Sequence, residues 1–192
     1  FEGDNFSLWS YIDIHGNWTS PWIRSTAGLT DVAHKNGVSV GCLMSVPDGR
    51  TIYLSPWRSD SYSKILYKLT LNQNGKFVYA EPLVRMMKFY GINGIGFNSE
   101  FHTSADVMKQ LTEFFVACHK EAEKLKWKFE VHWYDGTGDD GRIHFDGGLG
   151  NHNQKIFGNK DNIATDMLFA NYNWGPSHLR GSVSTAQRLG RS

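Results

Sequence analysis

The chain has 192 residues, 40% of them hydrophobic, which is enough for one ordinary domain with a filled core. Twenty Lys and Arg against nineteen Asp and Glu leave a formal charge of +1, so no protein-wide field attracts nucleic acid or an anionic membrane. No run of about 18 apolar residues exists to span a bilayer, and residues 1–20 lack the basic start and apolar middle of a signal peptide.

In chain order, a strand is predicted at Tyr11 to Ile14, followed by a Gly/Asn/Trp-rich loop that carries His15 and Trp18. Helical spacing of Leu29, Val32 and Ala33 predicts a helix from Thr26 to Asn36, stopped by Asn36-Gly37. Val38 to Met44 reads as the next strand, and residues 47–60 form a Pro/Gly/Ser/Trp loop long enough for a role in binding. Helices are predicted at Ser61 to Leu71 and Pro82 to Tyr90, with Asn72 to Gly75 as the turn between them and Pro82 in a first helical turn. Gly91 to Glu100 is a buried strand ending in polar groups. The clearest helix runs from Ser104 to Leu125, with Val107, Leu111, Phe114, Cys118 and Ala122 as its apolar stripe. Phe129 to Tyr134 and Ala164 to Tyr172 are further strands, and residues 178–189 end the chain as a weak helix.

Asn98 and Glu100 are two positions apart on a strand, so they project the same way, roughly 7 Å apart, and can reach one bound molecule. Alternation of strands with helices argues for a parallel sheet, either doubly wound or a (β/α) barrel. No GxGxxG segment opens a helix after the first strand, as a doubly wound nucleotide-binding fold would want. Polar and aromatic residues instead gather at strand carboxyl ends, at His15/Trp18, Asn98/Glu100, Tyr134/Asp135 and Asn171/Trp174, where a barrel builds its site. The expected class is therefore α/β, of the (β/α)8 TIM-barrel type. About five β/α units are countable in this chain, and residues 1–192 read as part of a single barrel domain.

Aromatic residues are 14% of the chain, many in Gly- and Asn-rich stretches, and Trp and Tyr offer the flat apolar face and polar tip that suit a sugar ring. Cys42 and Cys118 lack CxxC or Cys/His context and read as buried small hydrophobes. The acidic turn Asp135 to Gly141 lacks the Gly and Glu of a calcium loop, and His132, His144 and His152 show no zinc-site spacing. No metal and no cofactor are expected.

Ala33-His34-Lys35-Asn36-Gly37-Val38, Phe89-Tyr90-Gly91-Ile92-Asn93-Gly94 leading to Phe97-Asn98-Ser99-Glu100, Trp133-Tyr134-Asp135, and Phe169-Ala170-Asn171-Tyr172-Asn173-Trp174 follow one another in the order seen in glycoside hydrolase family 85, which the chain resembles. The resemblance implies an endo-β-N-acetylglucosaminidase. Such an enzyme hydrolyses the GlcNAc-β-1,4-GlcNAc bond of N-glycan cores by a retaining, substrate-assisted mechanism, in which the sugar's own 2-acetamido oxygen attacks the anomeric carbon. By similarity, Glu100 is the acid/base, Asn98 holds the acetamido N–H and Tyr134 hydrogen-bonds the acetamido group. Phe145, Asn171, Tyr172 and Trp174, with His15 and Trp18, are the expected substrate-binding residues.

The expected partner is an N-linked glycan or glycoprotein. A secreted, periplasmic or cell-surface setting is favoured, with the cytoplasm left open. Where relatives read Trp-Tyr-Asp-Ser-Met, this chain has Trp133-Tyr134-Asp135-Gly136-Thr137, and Phe145-Asp146-Gly147 stands where they carry Trp-Gln-Asn. A non-catalytic glycan-binding barrel domain and a chitinase-like barrel glycosidase are the competing readings. As a general acid, Glu100 is expected to be partly buried.

Overall fold

The computed structural model describes residues 6–17, 25–45 and 62–191. A short 3-10 turn, Trp9–Tyr11, precedes strand β1, Ile14–Asn17, so the first strand begins where the sequence pattern placed its end. Helix α1, Ala27–Lys35, leads to β2, Ser39–Ser45. Helix α2, Tyr62–Leu69, is followed by a tight hairpin of β3, Asn72–Gln73, and β4, Lys76–Phe77, around the Asn74-Gly75 turn, and then by α3, Ala80–Phe89.

Strand β5, Gly94–Asn98, feeds α4, Ala105–Lys124, whose N-cap Ser104 accepts a hydrogen bond from the Val107 amide. After β6, Glu130–Tyr134, come a short helix α5, Gln154–Phe157, and a small hairpin of β7, Gly158–Asn159, and β8, Asn162–Ile163. None of the last three was predicted. They are too short to show a period, and the helix is a single turn. Strand β9, Met167–Phe169, and α6, Pro176–Arg188, complete the described chain.

The sheet order is β1-β2-β5-β6-β9, every pair parallel, and the sheet curls as a half-barrel. The expected α/β barrel-type class and the five countable units match this arrangement. Strand alternation divides the sheet into two faces. Cys42, Ile95, Phe97, Val131 and Trp133 point outward into the main core, against Val84 and Met87 of α3 and Met108, Leu111, Phe114, Phe115, Cys118 and Ala122 of α4. Both cysteines are buried there as expected, and burial pushes the Cys118 thiol well above its ordinary value. Gly41, Gly96, Asn98, His132, Tyr134 and Phe169 take the opposite, hollow face. All five strands run in parallel, so their carboxyl ends meet on one side.

Candidate active site

A cleft of about 530 Å³ opens on the hollow face, and Gly96, Asn98, Glu100, His132, Tyr134 and Tyr172 are among its lining. Asn98 Nδ2 donates to Glu100 Oε2 at 3.2 Å. The intervening Ser99 turns the other way, fully buried, and its Oγ donates to the Tyr134 carbonyl at 2.5 Å. The Ser99 carbonyl in turn accepts from the Thr137 amide at 2.6 Å and the Thr137 hydroxyl at 2.8 Å. A Cβ at Gly136 would overlap that carbonyl. The departure at Gly136-Thr137 therefore has a physical reason, since glycine admits the neighbouring backbone and threonine stitches the ends of β5 and β6 together. The stitch holds the Asn98/Glu100 pair beside Tyr134.

Asn171 Nδ2 donates to the Tyr134 hydroxyl oxygen at 2.9 Å, which leaves the phenolic proton to point elsewhere. Burial raises the Tyr134 phenol above its ordinary value, and the Glu100 carboxylate adds to the effect, so Tyr134 is a neutral donor near pH 7. Asp135 faces away from the cleft as the hub of the loop after β6. Its carboxylate accepts from the Gly147 and Gly148 amides at 2.5 and 3.1 Å and from Asn153 Nδ2 at 2.9 Å. Burial pushes its carboxyl up, and the hydrogen bonds from the Gly147 and Asn171 amides and from Asn153 oppose the rise.

Glu100 is exposed, not partly buried as the sequence reading expected. The half-barrel leaves its hollow face open to solvent at the strand ends, so nothing among the described residues covers the carboxylate. Phe145 sits with its ring 6.2 Å from that of Tyr134 and holds a left-handed φ of 52°. For an aromatic residue this conformation costs on the order of 1 kcal/mol, a cost that clusters at functional sites. Tyr172 lines the cleft mouth and is 94% exposed.

Two other candidates lie elsewhere. His15 packs edge-on against Trp9, while its neighbour Gly16 lines the cleft. Trp174 lines a second hollow with Leu168 and with Leu179 and Val183 of α6. Trp18 and the 47–60 loop fall outside the described residues.

One lining residue was not singled out by sequence reasoning. His132 forms the floor of the cleft, and its Nε2 lies 3.3 Å from Glu130 Oε2, while Glu130 Oε1 pairs with Lys128 Nζ at 2.9 Å. A Cβ at Gly94 would meet His132 Cε1 at 2.5 Å, so glycine makes room for the ring. The signal that could have found it is the alternation Lys128, Glu130, His132, Tyr134 on one strand face.

The sequence profile of glycosyl hydrolase family 85 matches residues 1–192. The chain belongs to glycosyl hydrolase family 85. Among its relatives, the cytosolic endo-β-N-acetylglucosaminidase of Danio rerio is 24% identical over 188 residues, covering 97% of this chain and 24% of that protein. The corresponding Gallus gallus protein is 26% identical over 179 residues, covering 91% of this chain and 22% of that protein. Among solved structures, the Endo-D glycoside hydrolase domain from Streptococcus pneumoniae R6 superposes with a TM-score of 0.81 at 25% identity, over 97% of this chain and 28% of that one. A chitinase from Rhizomucor miehei shares the fold, with a TM-score of 0.55 at 14% identity over 97% of this chain and 61% of that one. This family 85 chain thus spans about a quarter of the length of the curated relatives it matches.

Proposed function

We propose that residues 1–192 are part of a single barrel catalytic domain that acts as an endo-β-N-acetylglucosaminidase on the GlcNAc-β-1,4-GlcNAc bond of N-glycan cores. The observation that carries this reading is the makeup of the cleft. Its described lining holds one carboxylate, Glu100, with an amide 3.2 Å from it and a neutral phenol on the next strand. A two-carboxylate glycosidase needs a second acid about 5–10 Å away. Here an amide takes that place, which suits a reaction in which the substrate brings its own nucleophile.

In the proposed reaction the acetamido carbonyl oxygen of the sugar bonds to its anomeric carbon as the glycosidic bond breaks. Glu100 gives its proton to the departing oxygen. Asn98 accepts from the acetamido N–H and so orients and polarises the group, while the Tyr134 hydroxyl, fixed by Asn171, donates to it. Water then attacks the anomeric carbon and yields its proton to Glu100, the carbon–oxygen bond of the oxazoline ring breaks, and the configuration is retained. Tyr172 and Phe145 supply apolar faces at the rim for flanking sugars.

The test is glycan release from a high-mannose glycopeptide by the full protein. Glu100→Gln is expected to lower kcat/KM by about 100- to 10,000-fold, the usual share of a general acid. Asn98→Ala is expected to lose that activity and still turn over a pre-formed oxazoline. Near-normal release by Glu100→Gln would refute the assignment. Faster cleavage of chitin oligosaccharides than of the glycopeptide would move it to a chitinase-like enzyme, and tight glycan binding with no product would make the domain a lectin-like module.

A further inference from the structure

Three side chains that neither the cleft nor the core uses come together on the loop after β6. We infer that His144, Asp146 and His152 form a site for a borderline divalent transition metal, with zinc as the expected occupant. One potential ligand atom from each lies within 4.8 Å of the other two. Two imidazoles and a carboxylate are a donor set suited to zinc, cobalt or nickel, and are poorly suited to calcium or magnesium.

His152 Nδ1 is 2.9 Å from Asp146 Oδ2. Two ligands each about 2.1 Å from one ion lie roughly 3.0–3.4 Å apart, so the separation of these two groups is close to that of a ligand pair. His144 Nε2 is 2.9 Å from Asp140 Oδ1. When that nitrogen donates to the carboxylate, Nδ1 keeps its lone pair, which is the carboxylate–histidine–metal relation that orients and strengthens an imidazole ligand. The rings of His144 and His152 are stacked, with centroids 3.9 Å apart and planes inclined by 6°. Parallel rings cannot both aim an in-plane lone pair at one point, so binding turns one of them. His152 is the freer, with its side chain 52% exposed against 22% for His144, and rotation about its ring torsion is inexpensive.

The backbone that carries these groups is set beforehand. The Gly138 amide donates to the Arg142 carbonyl at 2.8 Å, and the Arg142 amide donates to Asp140 Oδ1 at 2.9 Å. Asp139 accepts from the Lys155 and Ile156 amides, and Thr137 pairs with Ile143 across an antiparallel bridge. A Cβ on Gly138 would meet the His152 carbonyl at 2.5 Å and His144 Cδ2 at 2.7 Å, so the two ligand-bearing strands of the loop are close-packed there. None of the three ligands lines the sugar cleft. The ion would pin the loop that presents Phe145, and stands apart from the bond-breaking chemistry.

The test is calorimetric titration of chelator-treated full protein with zinc chloride, with cobalt absorption as a report on ligand geometry. One ion per chain is expected. His144→Ala/His152→Ala should abolish binding while leaving the metal-free circular dichroism and thermal midpoint unchanged, and Asp140→Asn should weaken it about tenfold. His102→Ala, at an exposed histidine on another loop, should bind as the parent does. A dissociation constant weaker than about 1 mM, or zinc binding retained by the double variant, would overturn the site.

Discussion

On β6, Val131 and Trp133 are fully buried against α4, whereas His132 and Tyr134, one residue along in each case, line the hollow of the half-barrel. The outward residues meet aromatic neighbours, with the Trp133 ring 5.7 Å from Phe97 and 6.3 Å from Phe115. The inward ones meet glycines, one another, and groups at the ends of adjacent strands. One strand thus carries core packing on one face and the proposed chemistry on the other. Substitutions on the two faces should therefore fail in different assays.

The largest separation is expected at Trp133→Ala. It empties the centre of the aromatic cluster and removes the Nε1 donor to the Thr137 carbonyl, and should cost about 3–5 kcal/mol in urea-induced unfolding. Any glycan-releasing activity of the folded fraction should persist, and an undiminished midpoint would mean that the outer face does not hold the domain together.

Tyr134→Phe, at the next residue and on the other face, should do the reverse. If the proposed mechanism holds, removing the hydroxyl that would donate to substrate should lower kcat/KM by about tenfold, equivalent to a net hydrogen bond of ~1.4 kcal/mol, with the urea midpoint unmoved. Asn171→Ala should reproduce part of that loss, because it frees the hydroxyl to rotate. A stability loss as large as that of Trp133→Ala would erase the distinction between the faces.

The smallest effect concerns pH. The hydrogen bond from His132, with help from Lys128, holds the Glu130 carboxyl below the ordinary carboxylate value. A depressed carboxyl stabilises the fold above its unfolded-state value, and that contribution disappears as pH falls through the lower folded-state value. Glu130→Gln should therefore lower the thermal midpoint slightly at neutral pH and leave it nearly unchanged in acid, which flattens the acid limb of a midpoint-against-pH curve.

Much of this contrast was legible in the residues. The run from Gly91 to Glu100 and the stripe of α4 are long and periodic, so strand, helix and the shared direction of Asn98 and Glu100 could be read without coordinates. Alternation along β6 sets Trp133 and Tyr134 on opposite faces. What escaped were features whose partners are distant in the chain. Ser99 and Thr137 are unremarkable polar residues until β5 and β6 are paired, 38 positions apart. His15 and Trp174 carried suitable chemistry in suitable places, but the strand phase turned His15 toward Trp9, and α6 drew Trp174 into a hollow of its own.

The residues by themselves determined the class of fold, the order of the units and the family, because hydrophobic period and ordered local motifs are written along one dimension. Tertiary structure decided what each polar group meets. It left Glu100 open to solvent, placed His132 on the cleft floor, and gathered His144, Asp146 and His152 from positions with no metal-site spacing. The physical reason is that side-chain chemistry depends on distances of a few ångströms across strands and loops, which folding sets and sequence separation does not.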